Sequence, residues 1–185
     1  MILYHGTIAK FVSSIHKKVD TERNRGEERD FGHGFYLSDE DFARDWAMRI
    51  AAQYYSSSDI DDLLEKAVVI PFECDFTSLD HTEIFEKRHK TLSFGKLVFY
   101  HRVDPVNHDT MTEKVIKAPM ADGRVDAVAG WYRDKPSFIR EVIAIANYMI
   151  PSKHIQYVIK DQKVADNCIK MLRPYNLKGD EIYVE

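Results

Sequence analysis

The chain has 185 residues, 44% hydrophobic and 30% charged, a balance that fits one folded domain and excludes disorder as its main state. Its net charge of −4 argues against bulk electrostatic capture of nucleic acid, although a local basic groove stays open. The two cysteines, Cys74 and Cys168, form no CxxC pattern, so we expect neither a disulfide framework nor a metal site. No segment is long and apolar enough to span a bilayer, and we expect a cytoplasmic protein that does not associate with membranes.

The first half of the chain predicts two short strands and two helices. Residues 1–4 are apolar and run into His5-Gly6, which predicts a strand that ends at a turn. A second strand is predicted from Phe35 to Ser38. Ser38 then suits a helix N-cap, since acidic residues follow it in the first turn, and the helix should continue to about Tyr55. A shorter helix is predicted over residues 60–66.

The second half predicts short strands scattered between helices. Residues 67–76 are the most strand-like, and Pro71 within them predicts an edge strand or a bulge. Another strand is expected at residues 154–159, and a short extended piece at residues 115–116. The predicted helices cover residues 82–90, 92–103, 125–132, 137–149 and 162–172. The strands show no regular βαβ rhythm, so the pattern favours an α+β fold over a doubly wound sheet, in a single domain spanning 1–185.

Four features suggest chemistry, and each also has a purely structural interpretation. His5, at the end of a strand, is more often a structural hydrogen-bonding residue than a catalyst. The stretch from Gly34 to Ser38 can be a packed strand, and Trp46, one helical turn from Phe42, is more often part of a core than a ligand platform. Gln156 is a polar residue in an apolar strand, where simple alternation would let it face solvent.

Taken together, these motifs resemble the ADP-ribosyltransferase superfamily, in the branch of diphtheria-type toxins and poly(ADP-ribose) polymerases. That branch has His-Gly on its first strand, matched here by His5-Gly6. Its second motif is Gly-x-Gly-hydrophobic-Tyr followed by a helix, matched here by the segment from Gly32 to Tyr36. The third catalytic position is Glu, with Asp or Gln variants, and here it corresponds to Gln156. The resemblance implies a split antiparallel or mixed β-sheet core flanked by helices.

The chain also resembles a bacterial family known only as a domain of unknown function, with YHGS near its start and then DFGxGFYLT before a helix. Here the first motif reads YHGT from Tyr4, and the second reads DFGHGFYLS from Asp30 to Ser38. The Pro119–Gly123 turn and the Gln156 strand match later motifs of that family. The matches run in order through nearly the whole chain, and the DFGxGFYL segment is the specific part.

The superfamily resemblance implies an NAD-dependent mono-ADP-ribosyltransferase in which NAD is a co-substrate. By that resemblance the catalytic residues are His5, Tyr36 and Gln156. The implied NAD-binding residues are Gly6, Thr7, Gly34, Phe35, Ser38, Phe42 and Trp46. The glycines would let nicotinamide lie against the backbone, with Tyr36 stacked on its ring. The acceptor would be a protein or a nucleic acid, and small bacterial members of the superfamily often act as toxins or defence effectors with an antitoxin partner.

Three hypotheses stay open, and the first two arise because Gln156 stands where the best catalysts of the superfamily have a carboxylate. The first is a slow or specialised transferase. The second is a catalytically weak or inactive module of the same fold that binds NAD or ADP-ribose. The third is a structural or immunity-type partner with no small ligand, which predicts that His5 and Tyr36 do not face a common cleft.

Overall fold

The computed structural model describes residues 1–23, 33–81, 83–86, 113–119 and 154–184. These residues form two β-sheets and four helices, which confirms the predicted α+β class. The strands are β1 (Ile2–Ile8), β2 (Phe35–Leu37), β3 (Ala67–Cys74), β4 (Ile84–Glu86), β5 (Val115–Pro119), β6 (Ile155–Ile159), β7 (Ile169–Met171) and β8 (Tyr175–Asn176). The helices are α1 (Ala9–Lys17), α2 (Glu40–Tyr55), α3 (Ile60–Lys66) and α4 (Gln162–Cys168). Within these ranges no helix combines the length and the apolar character needed to cross a membrane.

The first sheet has β3 at its centre, with β1 on one side and the short strands β7 and β8 on the other, all antiparallel. The predicted edge position of Pro71 is therefore wrong. Pro71 is tolerated because it lies just beyond the part of β3 that pairs with β7, so its missing N–H removes only the return hydrogen bond to Leu172 at the end of that ladder. Its carbonyl still accepts a hydrogen bond from the Leu172 N–H at 2.9 Å.

The second sheet has the strand order β2-β6-β5-β4. β6 is antiparallel to both of its neighbours, whereas β4 and β5 are parallel. The two sheets meet where Tyr4 of β1 and Ser38, just after β2, exchange both backbone hydrogen bonds at 2.9 Å. Among the described residues this single bridge is the whole backbone pairing between β1 and β2.

Helix α2 covers one face of the first sheet because its sequence carries small residues at the spacing of one helical turn. Ala43, Ala47 and Ala51 are all buried and pack with Ile8 and Val69 of the strands below. The helix begins at the N-cap Asp39, whose side chain accepts the Phe42 N–H, and ends at Ser56 in the left-handed conformation. A larger apolar cluster fills the opposite face, under α1 and α4.

Several predicted boundaries need correction. β1 continues through His5-Gly6 instead of turning there, and the N-cap of α2 is Asp39 rather than Ser38, whose backbone is used by the bridge to Tyr4. The predicted helix over residues 82–90 contains strand β4, which pairs with β5. The predicted helix over residues 162–172 ends at Cys168, since the next three residues pair with β3. The helices predicted over 92–103, 125–132 and 137–149 lie outside the described residues.

Candidate functional site

The junction of the two sheets brings His5 against the backbone of Tyr36. The Nδ1 atom of His5 lies 2.9 Å from the Tyr36 carbonyl oxygen. Because a carbonyl can only accept, Nδ1 donates, and the neutral ring then has Nε2 as its acceptor nitrogen. The imidazole also stacks on Phe35, with 4.5 Å between ring centroids and 23° between planes. Phe35 is itself buried against Phe72, so the orientation of the imidazole is fixed by the core.

The backbone of Gly6, a buried residue, faces the stretch beside this contact where the described residues of β1 and β2 do not pair, which we call the gap. Tyr4 directs its N–H and its C=O to Ser38, and residues two apart on a strand direct these groups to the same side. Gly6 therefore points its N–H and C=O away from β3. Continuing the register of the Tyr4–Ser38 bridge sets Gly6 opposite Tyr36, in the region where the described residues show no further pairing of β1 with β2.

The two described glycines of the motifs are required by the protein's own packing. A Cβ on Gly6 would lie 2.1 Å from the carbonyl oxygen of Ala43 and 2.9 Å from the Ala47 nitrogen, so α2 rests directly on this backbone. Gly34 has φ +147°, and a Cβ there would lie 2.5 Å from Cγ1 of Val158. The glycines predicted a close approach to the backbone, and α2 approaches it at Gly6 while β6 approaches it at Gly34.

Tyr36 and Gln156 lie on the same face of the second sheet. Tyr36 is directly opposite Val158, and Gln156 is two residues before Val158, so both side chains share its face. Tyr36 is half-buried, and Gln156 is 7% exposed in the middle strand of the sheet. Gln156 is thus not the solvent-facing residue that simple alternation allowed.

The His5 side chain projects from the face opposite to that of Tyr36. Its stacking partner Phe35 precedes Tyr36 on β2, so the two ring systems alternate to opposite faces. The imidazole and the phenol therefore flank the gap between β1 and β2 from its two sides. Thr7, which is 3% exposed, shares the His5 face of β1.

The first turns of α2 carry an aromatic row. Phe42 and Trp46 are one helical turn apart, and their rings stack at 6.1 Å with 16° between planes. Phe42 also approaches the His154 ring at 5.7 Å. Ser38, also among the predicted NAD-binding residues, is 4% exposed, and its hydroxyl donates to the Asp39 carbonyl at 3.1 Å.

The pair Asp39–His154 was not predicted from the sequence. Both carboxylate oxygens of Asp39 lie close to Nδ1 of His154, at 2.9 and 2.8 Å. The two residues are 115 positions apart, and only the antiparallel pairing of β2 with β6 brings them together. Together with Glu40 and Asp41 they line an open depression at the start of α2. The acidic cap and a histidine two residues before Gln156 were the available signals.

A second contact fastens α2 to the C-terminal part of the chain. The Tyr175 hydroxyl donates to Glu40 Oε1 at 2.6 Å. Burial, and then the neighbouring Glu40 carboxylate, raise the pKa of Tyr175 far above its usual value. The same two causes raise the pKa of Tyr4. Both phenols are therefore neutral at physiological pH.

Comparisons with known proteins give a family for the chain. No curated protein matches it, and neither does any solved structure. A family model described as "Protein of unknown function (DUF3990)" matches residues 1–171, which is nearly the whole chain. The chain therefore belongs to the DUF3990 family of proteins of unknown function.

Proposed function

We propose that the chain is an NAD-dependent mono-ADP-ribosyltransferase that modifies a macromolecular target. The observation that carries the proposal is the position of Gly6, whose N–H and C=O face the gap beside Tyr36. A nicotinamide carboxamide has one acceptor oxygen and one donor nitrogen. One residue on a strand edge can bind both, in the way that a neighbouring strand would.

Tyr36 and His5 have separate roles in the proposal, because their rings lie on opposite faces of the strands. A phenol ring beside the carboxamide site would stack on the nicotinamide ring, which holds the bond to be broken in one orientation. His5 is locked by Phe35 and by the Tyr36 carbonyl, and its Nε2 would accept a ribose hydroxyl. In the proposed reaction the bond between ribose C1′ and the nicotinamide nitrogen breaks, and its electron pair stays on that nitrogen. The acceptor forms the new bond to C1′ and loses a proton.

The identity of residue 156 as Gln156 determines how fast we expect the bond at ribose C1′ to break. As the C1′ bond breaks, the ribose gains positive charge, and a carboxylate 4 Å away would contribute on the order of 4 kcal/mol at an effective dielectric of about 20. A neutral amide supplies only its dipole, although its oxygen can accept a hydrogen bond from the 2′-hydroxyl. We therefore propose a slow transferase that modifies its target with single ADP-ribose groups.

Specific observations also support two other functions. The buried neutral amide of Gln156 favours a module that binds NAD or ADP-ribose without turnover. The opposite faces of His5 and Tyr36 favour a protein partner with no small ligand.

We also propose, by analogy at the level of fold alone, a toxin or defence role in the cytoplasm with an antitoxin partner. Growth inhibition on expression in bacteria, relieved by Tyr36→Ala, would support that role.

The test is nicotinamide release from NAD by the purified protein, alongside calorimetry of NAD binding. We expect slow release by the wild type, a loss of at least about ten-fold in Tyr36→Ala, and faster release in Gln156→Glu. Tyr183→Ala is the matched control, because Tyr183 is 85% exposed. NAD binding without release, with release gained by Gln156→Glu, would favour the binding module. No NAD binding at all would leave the protein partner as the function to pursue.

A further inference from the structure

A side-chain pair connects the chain segments that follow β2 and precede β6, at the point where the backbone ladder between these strands ends. The last rung is Leu37 with Tyr157, because the next residue, Ser38, turns its N–H and C=O to β1. One residue further along, both oxygens of Asp39 contact Nδ1 of His154 at 2.9 and 2.8 Å. Gln156 lies between Tyr157, which is in the ladder, and His154, which is in the pair.

The same carboxylate also belongs to α2. Asp39 Oδ1 accepts the Phe42 N–H at 3.1 Å as the helix cap, and the Phe42 ring lies 5.7 Å from the His154 ring. The pair therefore links the start of β6 to the first turn of α2, which also carries the aromatic row. His154 and Asp39 have side chains 21% and 43% exposed. Polar side-chain pairs with this exposure add little to global stability, so the main effect we expect is on local position.

We propose that Asp39 and His154 are positioning residues that hold Gln156 at the gap beside Tyr36. Without the pair, the first residues of β6 would be held by β5 alone on one side, through the Gln156–Ala118 pairing. The consequence for turnover rests on the proposed function. Misplacement of a reacting group by about 1 Å can cost on the order of 10²-fold in rate. A loosely held start of β6 would therefore lower the turnover rate.

The test uses Asp39→Ser, because serine caps a helix about as well as aspartate but is too short to reach His154. The matched control is Asp59→Ser, since Asp59 caps α3 by accepting the Asp61 and Asp62 N–H groups and takes no part in the pair. Amide hydrogen exchange at Tyr157, which forms the last rung with β2 next to the pair, reports the position of the start of β6 independently of activity when NMR follows it without ligand. Nicotinamide release reports the consequence for turnover.

In Asp39→Ser we expect exchange at Tyr157 to be roughly three- to five-fold faster, with a melting temperature close to that of the wild type. We expect kcat for nicotinamide release to fall on the order of ten-fold while KM for NAD changes less than about two-fold. Asp59→Ser should leave both readouts unchanged. His154→Ala should match Asp39→Ser, and the double variant should add little to either.

Two results would overturn the inference. Unchanged exchange at Tyr157 in Asp39→Ser would show that the pair does not hold the start of β6, where Gln156 lies. Faster exchange with unchanged kcat in an active wild type would show that the position has no consequence for turnover. If the wild type releases no nicotinamide, the proposed function fails, and the exchange result alone still decides whether the pair holds the start of β6.

Discussion

Replacement of Gly6 by alanine tests the contact on which the site is built. The new Cβ would lie 2.1 Å from the Ala43 carbonyl oxygen, 2.9 Å from the Ala47 nitrogen and 3.0 Å from the Ala43 carbonyl carbon. Favourable contacts between such atoms begin near roughly 3.5 Å, so α2 and β1 would have to separate by more than about 1 Å. All three atoms are backbone, and no side-chain rotation can relieve the clash.

The expected cost follows from that collision. Overpacking of a core costs about 1–3 kcal/mol, and we expect the upper end because two main chains collide directly. In a domain of this size each kcal/mol lowers the melting temperature by about 2–4 °C, so Gly6→Ala should melt roughly 6–12 °C below the wild type.

Thermal unfolding followed by circular dichroism measures this change. Gly179→Ala is the control, because Gly179 has φ +98° and nothing lies within 4 Å of the Cβ it would gain. That variant carries backbone strain without a clash, and we expect it to cost about 1–2 kcal/mol. A Gly6→Ala protein within about 0.5 kcal/mol of the wild type, or more stable than Gly179→Ala, would refute the close contact of α2 with β1.

Three further predictions concern parts of the fold away from the gap. Gln162→Ala should lower the urea midpoint by the equivalent of about 1–3 kcal/mol, because the Gln162 amide oxygen accepts from both the N–H and the hydroxyl of Thr21, which is 1% exposed. Tyr175→Phe should cost about 1.5–3 kcal/mol in the same assay by removing the hydrogen bond to Glu40. Burial raises the pKa of the Cys74 thiol to about 11 from a usual 9.0, so Cys74 should resist thiol reagents at neutral pH until the protein unfolds. The folded state binds the Cys74 thiol proton more tightly than the unfolded state does. The contribution of this thiol to stability should therefore be complete below about pH 9 and lost as the pH rises to about 11. The free energy of unfolding, measured across that pH range, would show this loss.

Local sequence signals located the elements that depend on local chemistry. The strand at Phe35–Leu37, helix α2 to Tyr55, the short helix Ile60–Lys66 and the strand Ile155–Ile159 agree with their predicted positions. Each has a nearby signal, such as acidic residues in the first helical turn or β-branched residues bounded by polar ones. The residues singled out also come together in part, since His5 contacts Tyr36 and Gln156 shares its face.

The errors came from contacts between residues far apart in the sequence. His5-Gly6 was expected to end a strand, but the glycine is needed because α2 packs on it, which no local pattern reveals. Ser38 was expected to cap α2, but its backbone pairs with Tyr4. Pro71 indicated an edge strand because the sequence does not show that the β3–β7 ladder ends at that residue, where a proline costs only one hydrogen bond.

The most direct test of the central claim is a crystal structure of the protein soaked with NAD. The account predicts that the nicotinamide carboxamide accepts from the Gly6 N–H and donates to the Gly6 C=O, with the Tyr36 ring against the nicotinamide. Density bound elsewhere, or an unchanged gap between Gly6 and Tyr36 at saturating NAD, would contradict it.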